Sequence, residues 1–270
     1  MRRISFFCSI DIKVGNVLTI ENLTIGYAGV VILDGLNITI PQGKITALIG
    51  PNGCGKSTLL KTISGSLKPT KGKVSLAGQD LSKLSHKTKA QLLSILPQSP
   101  ITPEGISVRQ LVSCGRNPYL SHWGGLSQQD RDEVQAALIE TGLCDLADRA
   151  VDSLSGGQRQ RVWIAMVLAQ DTDYILLDEP TTYLDLTYQV ELMEMMQKMN
   201  RRGKTLVVVL HDLNQACRYC DHLIVMKKGA IIAQDEPHKV FNSQLLKEVF
   251  SLNATIMMDP IANKPMCIPL

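Results

Sequence analysis

The run Ile45-Thr46-Ala47-Leu48-Ile49-Gly50-Pro51-Asn52-Gly53-Cys54-Gly55-Lys56-Ser57 joins a short apolar segment to a glycine-rich turn. Five almost wholly apolar residues predict a buried strand. The residues from Gly50 to Ser57 fit G-x-x-x-x-G-K-[ST]. Glycines let the backbone curl so that successive N–H groups point inward at a phosphate. Lys56 adds a mobile positive charge, and Ser57 offers a hydroxyl to Mg²⁺. A helix is expected over 57–63, its N-terminus aimed at the same anion. Strand, turn and helix in this order predict a nucleoside triphosphate site.

Toward the N-terminus, Val17-Leu18-Thr19-Ile20 and Val30-Val31-Ile32-Leu33 are rich in β-formers. Leu36-Asn37-Ile38-Thr39-Ile40 alternates apolar with polar before Pro41-Gln42-Gly43 turns the chain. Toward the C-terminus, Tyr174-Ile175-Leu176-Leu177 and Leu206-Val207-Val208-Val209-Leu210 predict two more buried strands, each followed by a helix. That alternation predicts an α/β fold with a parallel sheet and right-handed crossovers. The stretch 99–152 differs. It carries a helical pattern over 133–140 and loops rich in Gly and Pro, and it reads as an inserted helical lobe.

The strand Tyr174-Ile175-Leu176-Leu177 delivers Asp178 and Glu179 to one end of the sheet. Asp178 is placed to hold Mg²⁺ through water, and Glu179 to accept a hydrogen bond from an attacking water. Leu154-Ser155-Gly156-Gly157-Gln158 opens a helix expected over 158–170. Two glycines after a serine make a second anion-binding helix N-terminus in one chain. Since one triphosphate already occupies the first cradle, the second makes most sense closing on a nucleotide held by another subunit.

In this set and order the motifs resemble the ATP-binding cassette (ABC) ATPases of transporters, from about Leu18 onward. The resemblance implies a P-loop NTPase cassette: a mainly parallel core, an antiparallel β subdomain and an inserted helical subdomain. Its expected bounds are an N-terminal extension over 1–17, the ATPase domain over 18–253 with its helical part near 99–152, and a C-terminal segment over 254–270. It implies ATP contacts from Gly50, Pro51, Asn52, Gly53, Cys54, Gly55, Lys56, Ser57, Thr58 and Asp178. Tyr27 is similar to the aromatic that stacks on adenine, and Gln98 to the Q-loop glutamine at the metal and the water. Thr182-Tyr183-Leu184-Asp185 resembles the D-loop, and His211 the switch histidine at the γ-phosphate. Ser155, Gly156, Gly157, Gln158 and Asp185 complete the nucleotide contacts. Glu179, His211 and Gln98 are then the catalytic set, and Ser57, Gln98 and Asp178 the metal set.

Gly115-Arg116-Asn117-Pro118-Tyr119 and His211-Asp212-Leu213-Asn214-Gln215-Ala216 are similar to the branch that serves iron–siderophore importers. Wording at Pro51-Asn52-Gly53-Cys54 and Lys264-Pro265-Met266-Cys267 is similar to importers of ferric dicitrate. The resemblance implies a homodimer sandwiching ATP with Mg²⁺, docked on transmembrane permease subunits at the cytoplasmic face of the inner membrane. A periplasmic substrate-binding protein would be an indirect partner. Importers of haem or cobalamin share many of these phrases. The rival class is a soluble ATPase of the same family in DNA repair or translation. The interval from Gln98 to Leu154 is too short and glycine-punctuated for the coiled coil of repair relatives, and one cassette is present rather than two.

Composition agrees without selecting. The chain has 270 residues, 28 Lys+Arg against 25 Asp+Glu, and 4% aromatics. So mild a charge predicts no nucleic-acid partner, and so few rings argue against base stacking. The longest apolar run, 162–169, falls far short of the ~20 residues a spanning helix needs. Met1-Arg2-Arg3-Ile4-Ser5-Phe6-Phe7-Cys8 resembles a signal sequence only until Asp11 and Lys13 interrupt it. Seven scattered cysteines predict reduced thiols. Among them Cys54, inside the phosphate turn, predicts a thiol whose alkylation blocks ATP and which ATP protects. Cys217 and Cys220 are expected to pack in a helix, and His86, His122, His222 and His238 to lie at the surface. Met193, Met195, Met196, Met199, Leu186, Val190 and Leu192 are expected to fill the core from one helix.

Overall fold

The computed structural model describes residues 17–27, 29–121, 124–182 and 184–270. The N-terminal extension, Val17 apart, and His122 lie outside the described residues. The first strands, β1 (Leu18–Tyr27) and β2 (Val30–Ile40), form one antiparallel ribbon. The two β-rich runs expected within 30–40 are a single strand. Asp34-Gly35, which interrupts the alternation, is absorbed as an irregularity of register. Gly35 takes a positive φ of 59°, and its N–H donates to Thr24 Oγ1, which donates in turn to Asp34 Oδ1 at 3.1 Å.

The chain then enters β3 (Ile45–Ile49), buried at all five positions, and α1 (Lys56–Ile63). Next come β4 (Lys71–Leu76), β5 (Gln79–Asp80), α2 (His86–Leu92) and β6 (Leu93–Leu96). The insertion holds α3 (Val108–Ser113), a 3₁₀ turn (Cys114–Tyr119) and α4 (Gln128–Glu140). Beyond it run α5 (Gly156–Ala169), β7 (Tyr174–Asp178), α6 (Leu186–Arg201), β8 (Thr205–Val209) and α7 (Leu213–Tyr219). The hairpin β9 (His222–Lys227) and β10 (Ala230–Asp235) turns at Lys228 and Gly229, both at positive φ, as a two-residue hairpin requires. Two short helices, α8 (Pro237–Val240) and α9 (Ser243–Phe250), precede the terminal hairpin β11 (Ala254–Met258) and β12 (Pro265–Pro269).

Among the described residues the central sheet has the order β10-β9-β3-β8-β7-β6, parallel except at β10. A second sheet, β2-β1-β4-β5, is antiparallel. One apolar layer fills the space between the two sheets and around α1, with Leu33, Ile40, Leu48, Leu60, Val207 and Ile224. Another lies on the opposite face of the central sheet, where α6, α7 and α9 cover Ala47, Leu177 and Val208. The insertion has its own core, built by α3, α4 and one face of α5 through Val162, Ala165 and Ala169. Ile164 and Val167 of the same helix face the central sheet instead.

Four sequence expectations are corrected. Leu186 is 72% exposed, so it does not join the core with Met193, Met196 and Met199. It stands at the first residue of α6, before that helix reaches the sheet. Leu206-Leu210 ends as a strand at Val209. His222 is half-buried at the start of β9, where burial lowers its pKa. Cys220 caps α7 rather than lying within it, though both it and Cys217 are buried as packing requires.

Candidate active site

Parallel strands put their carboxyl ends on one edge of a sheet, and that edge is where ligands bind in open α/β folds. Along it stand, in spatial order, Gly50 after β3, His211 after β8, Asp178 and Glu179 at β7, and Gln98 after β6. Residues separated by 161 positions in sequence thus become neighbours.

The turn after β3 is held by close backbone contacts. A Cβ at Gly50 would lie 2.2 Å from the carbonyl oxygen of Met226, which only glycine tolerates. Gly55 is the N-cap of α1 at φ 104°, and no side chain caps that helix. The first N–H groups of α1 are therefore left for an anion. Lys56 is 5% exposed, its Nζ donating to the carbonyls of Gly50 (2.8 Å) and Pro51 (3.1 Å). In this pose the ammonium arches back over its own turn.

Ser57 Oγ donates to Asp178 Oδ1 at 2.9 Å. Asp178 is almost fully buried, and that burial raises its pKa against the opposing hydrogen bond from Ser57. Glu179 adopts a left-handed backbone, φ 51°, unusual for a residue with a side chain. Strain of this kind persists only where neighbours impose it. Here Gln98 Nε2 donates to Glu179 Oε2 at 2.6 Å, Thr182 Oγ1 to the same oxygen at 3.4 Å, and His211 Nε2 lies 2.8 Å from Oε1. The carboxylate is gripped from three sides.

These groups enclose a cleft of about 530 Å³ lined by Asn52, Gly53, Gly55, Lys56, Ser57, Thr58, Gln98, Glu179 and His211. Ile32 lines it as well, a β-strand residue that carries no motif signal in the sequence. Thr182 also reaches Glu179, and its place three residues beyond that carboxylate is the sequence signal for the contact. The Tyr27 side chain lies outside the described residues. Cys54 departs from expectation, for its thiol is 3% exposed and burial raises its pKa. The sulfur would lie 2.8 Å from a Cβ at Gly50, so it packs behind the turn instead of lining the cleft. A raised, covered thiol is a poor nucleophile, and the expected alkylation does not follow.

Ser155, Gly156, Gly157, Gln158 and Asp185 do not line this cleft. Ser155 caps α5, its Oγ accepting from the Gln158 N–H at 3.3 Å while Gln158 Oε1 accepts from the Ser155 N–H at 3.1 Å. Ser155 and Gly156 are exposed. Asp185 caps α6. Among the described residues, the uncapped N-terminus of α1 opens into the cleft, while the Ser155-capped N-terminus of α5 lies outside it.

A family model described as ABC transporter matches residues 33–182. The achromobactin transport ATP-binding protein of Dickeya dadantii (strain 3937) is 52% identical over 253 residues, 93% of this chain and 94% of that protein. The iron(3+)-hydroxamate import ATP-binding protein of Bacillus subtilis (strain 168) is 49% identical over 254 residues, 94% of both. Among solved structures, an inward-facing transporter described as of metal-chelate type superposes with TM-score 0.82 at 29% identity, covering 95% of this chain and 98% of that one. A dimeric bacterial ABC transporter cassette gives 0.73 at 30% identity, covering 81% and 98%.

Proposed function

The chain belongs to the ABC transporter family, as one of its ATP-binding subunits, and from that premise we propose how its own residues serve an importer of iron(III) chelates. The cargo class, siderophore or ferric dicitrate, is supported by relatives that serve achromobactin and iron(3+)-hydroxamate transport at about half identity. The chain acts as a homodimer docked on permease subunits at the cytoplasmic face of the membrane. A dimeric cassette among the similar structures supports the pairing. No helix among the described residues is long and apolar enough to cross a membrane, which suits a peripheral subunit.

One observation carries the reading: Glu179, in strained backbone, is held by Gln98 and His211 at the mouth of the turn bearing Lys56. The open N-terminus of α1 and Lys56 hold the phosphates of ATP. Glu179 takes the proton of the attacking water, and His211 shifts from Glu179 to the terminal phosphate when nucleotide is present. The donor set suits Mg²⁺. Ser57 and Asp178 put two hard oxygens 2.9 Å apart, and Gln98 uses its amide nitrogen on Glu179, leaving its carbonyl oxygen to ligate. When bound, Mg²⁺ would neutralise charge building on the phosphates. Ser155, Gly156 and Gly157 meet the nucleotide of the partner, since α5 presents them outward.

Replacing Glu179 by Gln tests this directly. General-base assistance contributes roughly 10²–10⁴-fold, so phosphate release should fall by at least ~100-fold. ATP binding should persist, and a closed dimer should elute earlier on size exclusion. Hydrolysis at the wild-type rate would remove Glu179 from the reaction.

A further inference from the structure

One residue meets the outward turn of α5 with its ring and the cap of α6 with its backbone. Tyr188 lies in the first turn of α6, its N–H donating to Asp185 at 3.0 Å. Its ring lies against Gly157, where a Cβ would sit 3.2, 3.3 and 3.5 Å from three ring carbons. Glycine at 157 is what lets the ring approach so closely. The guanidinium of Arg161, one turn further along α5, stands over the ring at 4.6 Å from its centroid. Arg161 also pairs with Glu191, three residues beyond Tyr188 on α6. Gly157, Arg161, Tyr188 and Glu191 all open onto one groove of about 310 Å³ between α4, α5 and α6.

Gly156 and Gly157, the first two residues of α5, carry no side chain that could hold that turn against a neighbour. Yet the N–H groups of that turn must keep one direction if they are to bind an anion on another subunit. An aromatic ring supplies a rigid wall with few rotors to freeze. The Arg161–Glu191 pair clamps that wall in place.

Resting on the composite-site reading above, we infer that Tyr188 is a positioning residue. It fixes the Ser155–Gly157 turn in the pose that meets the partner's nucleotide, and it ties that turn to the Asp185 loop of its own chain. Tyr188 does not border the cleft that holds Lys56, so nucleotide binding by a single subunit should be independent of it.

The full-length protein with Tyr188→Ala and Tyr188→Phe tests the assignment. Tyr188→Ala should lower kcat at least tenfold. In the Glu179→Gln background it should raise at least tenfold the ATP concentration that half-saturates dimer formation. Binding of a fluorescent ATP analogue to the dilute monomer should stay within twofold. Tyr188→Phe keeps the ring and should match wild type within twofold throughout. Wild-type kcat in Tyr188→Ala, or equal damage in Tyr188→Phe, overturns the inference. If Tyr188→Ala does not fold, Arg161→Met decides: it frees the ring without emptying its site, and kcat should fall several-fold with monomer binding unchanged. An unchanged kcat there also overturns it. Should Glu179→Gln with Tyr188 intact fail to dimerise with ATP, the composite site itself falls, an outcome separable from any effect of Tyr188.

Discussion

Asp178 shows at the scale of one residue how a site trades folding against binding. Burial raises its pKa, so the folded protein holds a proton that the unfolded chain releases near the ordinary carboxylate value. Stability at this group is therefore lost as pH rises from the ordinary value through the raised one. Asp178→Asn removes the charge while keeping an oxygen to accept from Ser57. Without Mg²⁺ or ATP at pH 7, its Tm should exceed that of wild type. The gap should shrink as pH falls, and MgATP should reverse the order. A lower Tm for Asp178→Asn in the apo protein at pH 7 would contradict this. Cys54 is the opposite lesson. The sequence places Cys54 in a turn whose backbone approaches phosphate, but its thiol is buried behind Gly50, where it fills space.

At the scale of elements, α5 serves two cores at once, the insertion through Val162 and Ala165 and the central sheet through Ile164 and Val167. The join is completed by the 3₁₀ turn. Arg116, buried there, donates to Asp130 at 2.8 Å and to the carbonyl of Ala169 at 2.7 Å, and stacks 4.0 Å over Tyr119. Tyr119 in turn donates to the carbonyl of Gln170, whose amide reaches the carbonyl of Ala90 in α2. Deleting one member of a buried pair leaves an uncompensated charge. Arg116→Ala should therefore cost about 3–5 kcal/mol in urea unfolding. The double variant with Asp130→Ala should cost less than the sum of the singles, because neither charge is then stranded. A single-variant loss under about 1 kcal/mol would show the pair to be ornamental.

At the scale of the whole molecule, the proposed homodimer would make each chain half of two sites, its Ser155–Gly157 turn serving the partner's nucleotide. Lys56→Ala damages the cleft, and Ser155→Arg blocks only the cradle offered to a partner. Each homodimer should be inactive, since every site lacks one half. Mixing them yields heterodimers with one intact site, formed by the cleft of the Ser155→Arg chain and the turn of the Lys56→Ala chain. Phosphate release should reappear, with a maximum near equal amounts of the two proteins. Full activity of purified Ser155→Arg by itself would show that the turn never touches nucleotide.

The sequence by itself determined the parts that are local. Ile45 to Ser57, Tyr174 to Glu179 and Leu154 to Gln158 are contiguous because a phosphate cradle, a strand-end acid pair and a capped helix are each built within a few residues. The antiparallel sheet was only partly legible: β4 and β5 carry too few apolar residues, and Asp34-Gly35 disguised a continuous strand as two. Tertiary structure alone decided which strand ends adjoin. The order β3-β8-β7-β6 brings Gln98 and His211 onto Glu179, 81 and 32 positions away, and no sequence window encodes a strand order set by long-range crossovers and shared burial. Side-chain direction was decided at the same level. Packing across elements turned Cys54 inward, left Leu186 in solvent, and laid Tyr188 on Gly157, because each depends on what the fold puts opposite it.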